Sequence, residues 1–206
     1  MHGLYAITPD WFDTHRLSDT SEAILAAGCR ILQYRNKSAD ADLRRAQATT
    51  LHDLAQRFDA RLIINDDDEL ALSCGADGVH LGMDDCDLSF VRSLLGAGKI
   101  LGASCYQDLD RARQAAADGA DYLAFGSFFA SPTKPGAQRA GIELLAEAKR
   151  RTGLPVCGIG GIVPDNAVAL VAAGADMLAV ITALYEAPDP GAATRTFIRI
   201  FEEHQT

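Results

Sequence analysis

The sequence predicts a single closed (β/α)8 TIM barrel with eight parallel strands, and three observations lead there. The first is a recurring punctuation. Gly75-Ala76-Asp77, Gly119-Ala120-Asp121 and Gly174-Ala175-Asp176 each separate an Ala-rich stretch from an apolar run, and Gly28-Cys29-Arg30 is a weaker copy. Glycine suits the left-handed C-cap of a helix, and an unbroken apolar run suits a strand buried on both faces. The second observation is that each gap between copies has room for one more strand and helix. Strict alternation of this kind implies a parallel sheet. The third is the count: at about 24 residues per unit, with a further unit at each end, 206 residues hold eight units. An open doubly wound sheet uses the same alternation with fewer strands, and the count of eight favours the barrel. No linker, low-complexity tract or compositional break marks a boundary, so one catalytic domain is expected over residues 1–206.

The strands follow in order. Leu4-Tyr5-Ala6-Ile7-Thr8 is the first, and Ile31-Leu32-Gln33-Tyr34, after the Gly28 cap, is the second. Arg61-Leu62-Ile63-Ile64-Asn65 is the third, and Gly78-Val79-His80-Leu81 follows the first full punctuation as the fourth. Lys99-Ile100-Leu101-Gly102-Ala103-Ser104 is the fifth and Tyr122-Leu123-Ala124-Phe125 the sixth. Pro155-Val156-Cys157-Gly158-Ile159 and Met177-Leu178-Ala179-Val180-Ile181 complete the set, and a last helix is expected near residues 189–204.

Composition excludes several classes of function. Hydrophobic residues make up 48% and charged residues 23%, the balance of a globular chain rather than a disordered or coiled-coil one. A net charge of −9 argues against a nucleic-acid partner or a polybasic membrane segment. It leaves room for small anionic ligands, because a local cluster of Arg and Lys overrides the mean field. The five cysteines form no CxxC pair, so reduced thiols in a cytoplasmic protein are expected instead of disulfides or a zinc site. Free cysteine is usually a small core residue, which disfavours a thiol nucleophile. Residues 1–7 run directly into a strand without a secretory pattern, and no apolar run nears the roughly 18 residues of a membrane span.

A barrel places reactive side chains just after each strand, and the polar residues fall there. After the second strand, Gln33, Arg35 and Lys37 alternate, so an extended segment would aim an amide and two cations into one cavity. After the third comes Asn65-Asp66-Asp67-Asp68-Glu69, which suits either helix capping or a metal. After the fourth comes His80-Leu81-Gly82-Met83-Asp84-Asp85. Two carboxylate loops on adjacent strands beside a pair of cations point to Mg²⁺, which takes one or two carboxylates and completes its shell with water and phosphate. His80, inside an apolar strand end, suits a packed, hydrogen-bonded residue better than a ligand or an acid. The loop after the sixth strand, residues 125–136, carries Phe128, Phe129, Ser131, Thr133 and Lys134 and reads as a lid with anion contacts. Gly158-Ile159-Gly160-Gly161-Ile162 and Ile181-Thr182 end the seventh and eighth strands, the recurrent phosphate site of such barrels. One region thus suits a diphosphate beside a metal and the other a monophosphate.

In this order and over nearly the whole chain, these segments resemble the thiamine phosphate synthase family. The motifs are Gln33-Tyr34-Arg35-Asn36-Lys37, Ile64-Asn65-Asp66-Asp67, Ala76 to Gly82 with Asp85, Gly102-Ala103-Ser104, Ser131-Pro132-Thr133-Lys134, the Gly158 loop and Ile181-Thr182. The resemblance implies a Mg²⁺-dependent coupling of 4-amino-2-methyl-5-hydroxymethylpyrimidine diphosphate with a thiazole monophosphate. By matching positions it implies that Gln33, Tyr34, Arg35, Asn36, Lys37, Asn65, Ser104 and Lys134 hold the pyrimidine diphosphate. Asp66 and Asp85 would bind the metal, and Ser131, Pro132, Thr133, Gly161, Ile181 and Thr182 the thiazole phosphate. Arg35, Lys37 and Lys134 would stabilise the leaving diphosphate in a dissociative substitution at the pyrimidine methylene. Met83, Ser131, Tyr106 and Thr182 depart from the common pattern; the hydroxyl exchanges keep donor and acceptor capacity. The alternatives are a thiazole tautomerase of the same fold and a non-catalytic thiazole-phosphate sensor. The expected partners are small phosphorylated substrates, with no nucleic acid and no membrane, and homo-oligomerisation stays open.

Overall fold

The computed structural model describes residues 1–82, 87–130 and 138–204. Eight parallel strands close into a barrel in sequence order: β1 (Gly3–Ile7), β2 (Ile31–Tyr34), β3 (Arg61–Asn65), β4 (Gly78–Leu81), β5 (Ile100–Tyr106), β6 (Tyr122–Gly126), β7 (Val156–Ile159) and β8 (Met177–Val180). β8 returns beside β1, with Tyr5 opposite Ala179. The helices outside are α1 (Thr14–Ala26), α2 (Ala41–Arg57), α3 (Asp68–Ser73), α4 (Leu88–Leu95), α5 (Leu109–Ala117), α6 (Glu143–Thr152), α7 (Pro164–Ala172), α8 (Thr182–Tyr185) and α9 (Pro190–Glu203). Every expected strand is present. Two details differ: β5 continues past Ser104 to Tyr106 through an irregularity in its pairing with β6, and Thr182 opens the short extra helix α8.

The Gly-Ala-Asp punctuation has a second half that a C-cap does not explain. Gly28, Gly75, Gly119 and Gly174 all have positive φ, as a left-handed turn out of a helix requires. The aspartate that follows then holds the neighbouring strand. Asp77 accepts from the N–H of Leu62 on β3 at 2.9 Å, Asp121 from Leu101 on β5 at 2.7 Å, and Asp176 from Val156 on β7 at 2.9 Å. Each carboxylate also pairs with a cation, Arg61, Arg92 and Lys149 respectively. Other aspartates begin helices: Asp13, Asp40, Asp67, Asp87, Asp108 and Asp189 each accept a backbone N–H as N-caps.

The core has two layers. Leu17, Ile24, Leu51, Leu62, Leu101, Leu123, Leu145, Leu170 and Phe197 fill the space between sheet and helices. Inside the barrel lie Tyr5, Ile7, Ile31, Ile63, Tyr122, Ala124, Cys157, Met177 and Ala179. Gly102 is bare because Tyr122 occupies the space a side chain would need: a Cβ there would lie 2.2 Å from Tyr122 Cζ.

Candidate active site at the C-terminal mouth

At the end of β2 the backbone is fastened to the first loop. Arg35 N–H donates to Thr8 Oγ1 at 2.8 Å, and the same hydroxyl donates to Arg35 O at 2.9 Å. Asp10 then accepts from both Arg35 Nη1 and the Lys37 N–H, each at 3.0 Å. Lys37 Nζ lies 2.9 Å from Asp66 Oδ2 across to the end of β3. Arg35, Lys37 and Asp66 are thereby linked, and Asp10 and Thr8 are the residues that sequence reasoning missed. Their partners lie 25 or 27 positions away, and an Asp or Thr after a strand carries no local sign of such a role. Gln33 points into the barrel, buried, with Nε2 2.7 Å from Tyr5 Oη. Tyr34 faces the other way, its hydroxyl donating to Gln47 on α2 at 2.9 Å. Asn36 is buried with its polar atoms engaged by Trp11 O, Gln47 Oε1 and the N–H groups of Ser38 and Ala39. Both line a cavity with Lys37 and Asp66, but their hydrogen bonds serve the loop.

The acidic run after β3 divides by role. Asp67 caps α3 by accepting the Leu70 N–H, while Asp68 and Glu69 occupy its first turn and complement the helix dipole. Asp66 stands apart, in the left-handed region at φ 61°. With Asn65 and Lys37 it borders a cavity of about 240 Å³ between the β2 and β3 loops, which Arg44 enters from α2. Among the described residues no three His, Cys, Asp or Glu side chains gather to hold a metal. Asn65 and Asp66 offer oxygen donors suited to a hard cation, and one or two carboxylates suffice for Mg²⁺. Asp85, the other expected metal ligand, lies outside the described residues, as does Met83.

On β4 and β5, His80 Nε2 is 2.9 Å from Ser104 Oγ and its Nδ1 is 2.8 Å from Tyr122 Oη. Burial pushes the imidazole pKa down to about 4, against a smaller opposing effect of Asp66, so His80 is neutral at ordinary pH. Burial also raises the Tyr5 and Tyr122 phenols well above their usual range. Arg111 on α5, a residue with no signature in the sequence, ties the two strand ends by donating to Ser104 O at 2.6 Å and Gly82 O at 2.8 Å.

On the far side, the β6 and β7 loops are bonded backbone to backbone, Phe128 N–H to Ile159 O at 3.2 Å and Phe129 N–H to Gly160 O at 3.0 Å. Gly161 combines φ 62° with so close an approach that a Cβ would lie 2.2 Å from Ala130 O. The glycine pair therefore admits the neighbouring loop whatever else it binds. Phe128 is buried against the outer core, and Phe129 packs beside it. Ile181 and Thr182 stand half-buried where β8 turns into α8. Ser131, Pro132, Thr133 and Lys134, and with them the lid expected there, lie outside the described residues.

A closed (β/α)8 barrel with cations, amides and hydroxyls at the C-terminal ends of its strands defines the class of barrel enzymes that act on small molecules at that face. A family model described as thiamine monophosphate synthase matches residues 4–184. The thiamine-phosphate synthase of Methylobacillus flagellatus is 55% identical over 201 residues, covering 98% of this chain and 96% of that one. Its counterpart from Thiobacillus denitrificans is 53% identical over 199 residues, covering 97% and 94%. Among solved structures, thiamine phosphate pyrophosphorylase from Pyrococcus furiosus superposes with a TM-score of 0.88 at 33% identity, covering 99% of this chain and 97% of that one. The chain belongs to the thiamine monophosphate synthase family. It is a transferase that forms thiamine phosphate. No helix among the described residues is long and apolar enough to cross a membrane.

Proposed function

We propose that the mouth couples 4-amino-2-methyl-5-hydroxymethylpyrimidine diphosphate to 4-methyl-5-(2-phosphoethyl)thiazole, or to its carboxylate form. The methylene C–O bond to the diphosphate breaks, the thiazole nitrogen forms a C–N bond to that carbon, and thiamine phosphate and diphosphate leave, with CO2 released as well when the thiazole carries the carboxylate. The observation that carries this reading is the linked group of Asp10, Arg35, Lys37 and Asp66, a pre-arranged charge cluster at one side of the mouth. Arg35 and Lys37, with Lys134, would hold the diphosphate and take up charge as it departs. Gln33, Asn65 and Ser104 would orient the pyrimidine, while Tyr34 and Asn36 shape the loop that carries Arg35 and Lys37. Ser131, Pro132, Thr133, Gly161, Ile181 and Thr182 would hold the thiazole phosphate. Asp66, with Asp85, would hold Mg²⁺, which when bound supplies positive charge to the diphosphate. Holding both partners in line supplies the remainder of the acceleration. The reading places the reaction in the cytoplasm, where the buried thiols of Cys29, Cys105 and Cys157 stay reduced. A tautomerase or a thiazole-phosphate sensor would leave the Asp10–Arg35–Lys37–Asp66 cluster with no substrate charge to meet.

Steady-state kinetics with each substrate varied in turn tests the division of the mouth. Lys37→Ala and Asp66→Asn should each raise KM for the pyrimidine diphosphate about tenfold, and leave KM for the thiazole phosphate within about twofold. Equal rises for both substrates, or none, would contradict it.

A further inference from the structure

A line of hydrogen bonds runs through the barrel interior and ends at the mouth. Gln33 Nε2 lies 2.7 Å from Tyr5 Oη, Tyr5 Oη 2.8 Å from Tyr122 Oη, Tyr122 Oη 2.8 Å from His80 Nδ1, and His80 Nε2 2.9 Å from Ser104 Oγ. The members come from β2, β1, β6, β4 and β5 in turn. Gln33, Tyr5, Tyr122 and His80 are buried, and only Ser104 is partly open. Small barrels are ordinarily filled by branched apolar side chains, and a buried polar chain is costly unless every member is paired. Here the sequence even omits a side chain at Gly102 to seat the Tyr122 ring.

With the Gln33 amide nitrogen turned toward Tyr5, the hydrogens run in one direction. Gln33 Nε2 donates to Tyr5, so the Tyr5 hydrogen goes on to Tyr122, the Tyr122 hydrogen to His80 Nδ1, and the His80 hydrogen must then sit on Nε2, facing Ser104. In the opposite direction Tyr5 would accept from both neighbours, and its own hydrogen would have no acceptor among the described residues. Ser104 Oγ thus accepts from His80, and its hydrogen is directed elsewhere. We infer that His80, Tyr122 and Tyr5 are positioning residues that set the imidazole tautomer and so make Ser104 a hydrogen-bond donor to an acceptor atom of the substrate, a ring nitrogen or a diphosphate oxygen. This rests on the reading that Ser104 touches the pyrimidine substrate. It requires no change of charge along the line.

Two measurements test it. In ¹⁵N NMR spectra of the folded enzyme, with the His80 signal assigned by its loss in His80→Gln, Nε2 should carry the proton, and Tyr122→Phe should shift His80 to a mixture of tautomers. In kinetics, Tyr122→Phe should lower kcat about tenfold with KM within about twofold, and the same change in a Ser104→Ala background should cost less than about twofold. Tyr5→Phe, one link further out, should act in the same direction and carries the cycle if Tyr122→Phe fails to fold. His80 protonated on Nδ1 in the unaltered enzyme overturns the relay, as does an equal kcat loss in both backgrounds. An unchanged kcat in Ser104→Ala overturns the inference at its base, in the reading of Ser104.

Discussion

Gly102 shows how one residue's identity is dictated from across the barrel. The ring and hydroxyl of Tyr122 lie where a Cβ would stand, at 2.2 and 2.3 Å, and the ring is held in turn by Tyr5 and His80. Gly102→Ala therefore cannot be absorbed by a rotamer change, and should destabilise the fold by about 3 kcal/mol, the upper range of overpacking. Urea unfolding followed by circular dichroism measures this; a loss below about 0.5 kcal/mol would mean that the ring moves freely. The same scale shows what a sequence hides. Asp66 and Asp67 are adjacent and chemically identical, yet one caps α3 and the other meets Lys37 at the mouth. Capping needs only the local chain, whereas the role of Asp66 depends on a lysine brought from another strand. Asp10 and Arg111 escaped notice for the same reason.

Among elements, the aspartates that follow the helix-ending glycines join strands in pairs: Asp77 joins β4 to β3, Asp121 joins β6 to β5, and Asp176 joins β8 to β7. The repeat was legible as glycine and apolar run because both are local preferences. The aspartate's grip on the preceding strand was not, since its acceptor geometry exists only once two strands are side by side. Ion pairing at such exposed positions contributes little; the backbone N–H of buried Leu101 is what matters. Asp121→Ala, which leaves that N–H without its acceptor, should cost about 2 kcal/mol. Asp121→Asn, whose amide oxygen still accepts it, should recover most of the loss. Thermal unfolding of the two variants separates the possibilities, and equal melting temperatures would show that the Arg92 pair matters and the strand contact does not.

Across the whole molecule, the acidity that first argued only against nucleic acid resolves into distinct uses: helix caps, strand grips and the carboxylates of the mouth. The architecture was legible almost completely, because eight repeats of a local pattern leave few topologies. Of the candidate site, the position of Arg35, Lys37, Asp66 and Ser104 at or just after the ends of their strands was legible. Its hydrogen-bond wiring was not, because the line from Gln33 to Ser104 is made by five strands whose order in space the residues themselves do not declare. Under the proposed function, this mouth joins a diphosphate and a monophosphate substrate with the help of Mg²⁺. The direct measurement mixes purified protein with both substrates and follows diphosphate release and thiamine phosphate formation, with Mg²⁺ and after its removal by chelation. The expected result is equal amounts of the two products with the metal and a loss of at least about a hundredfold in rate without it. Product formation at the same rate after chelation, or diphosphate release without thiamine phosphate, would contradict it.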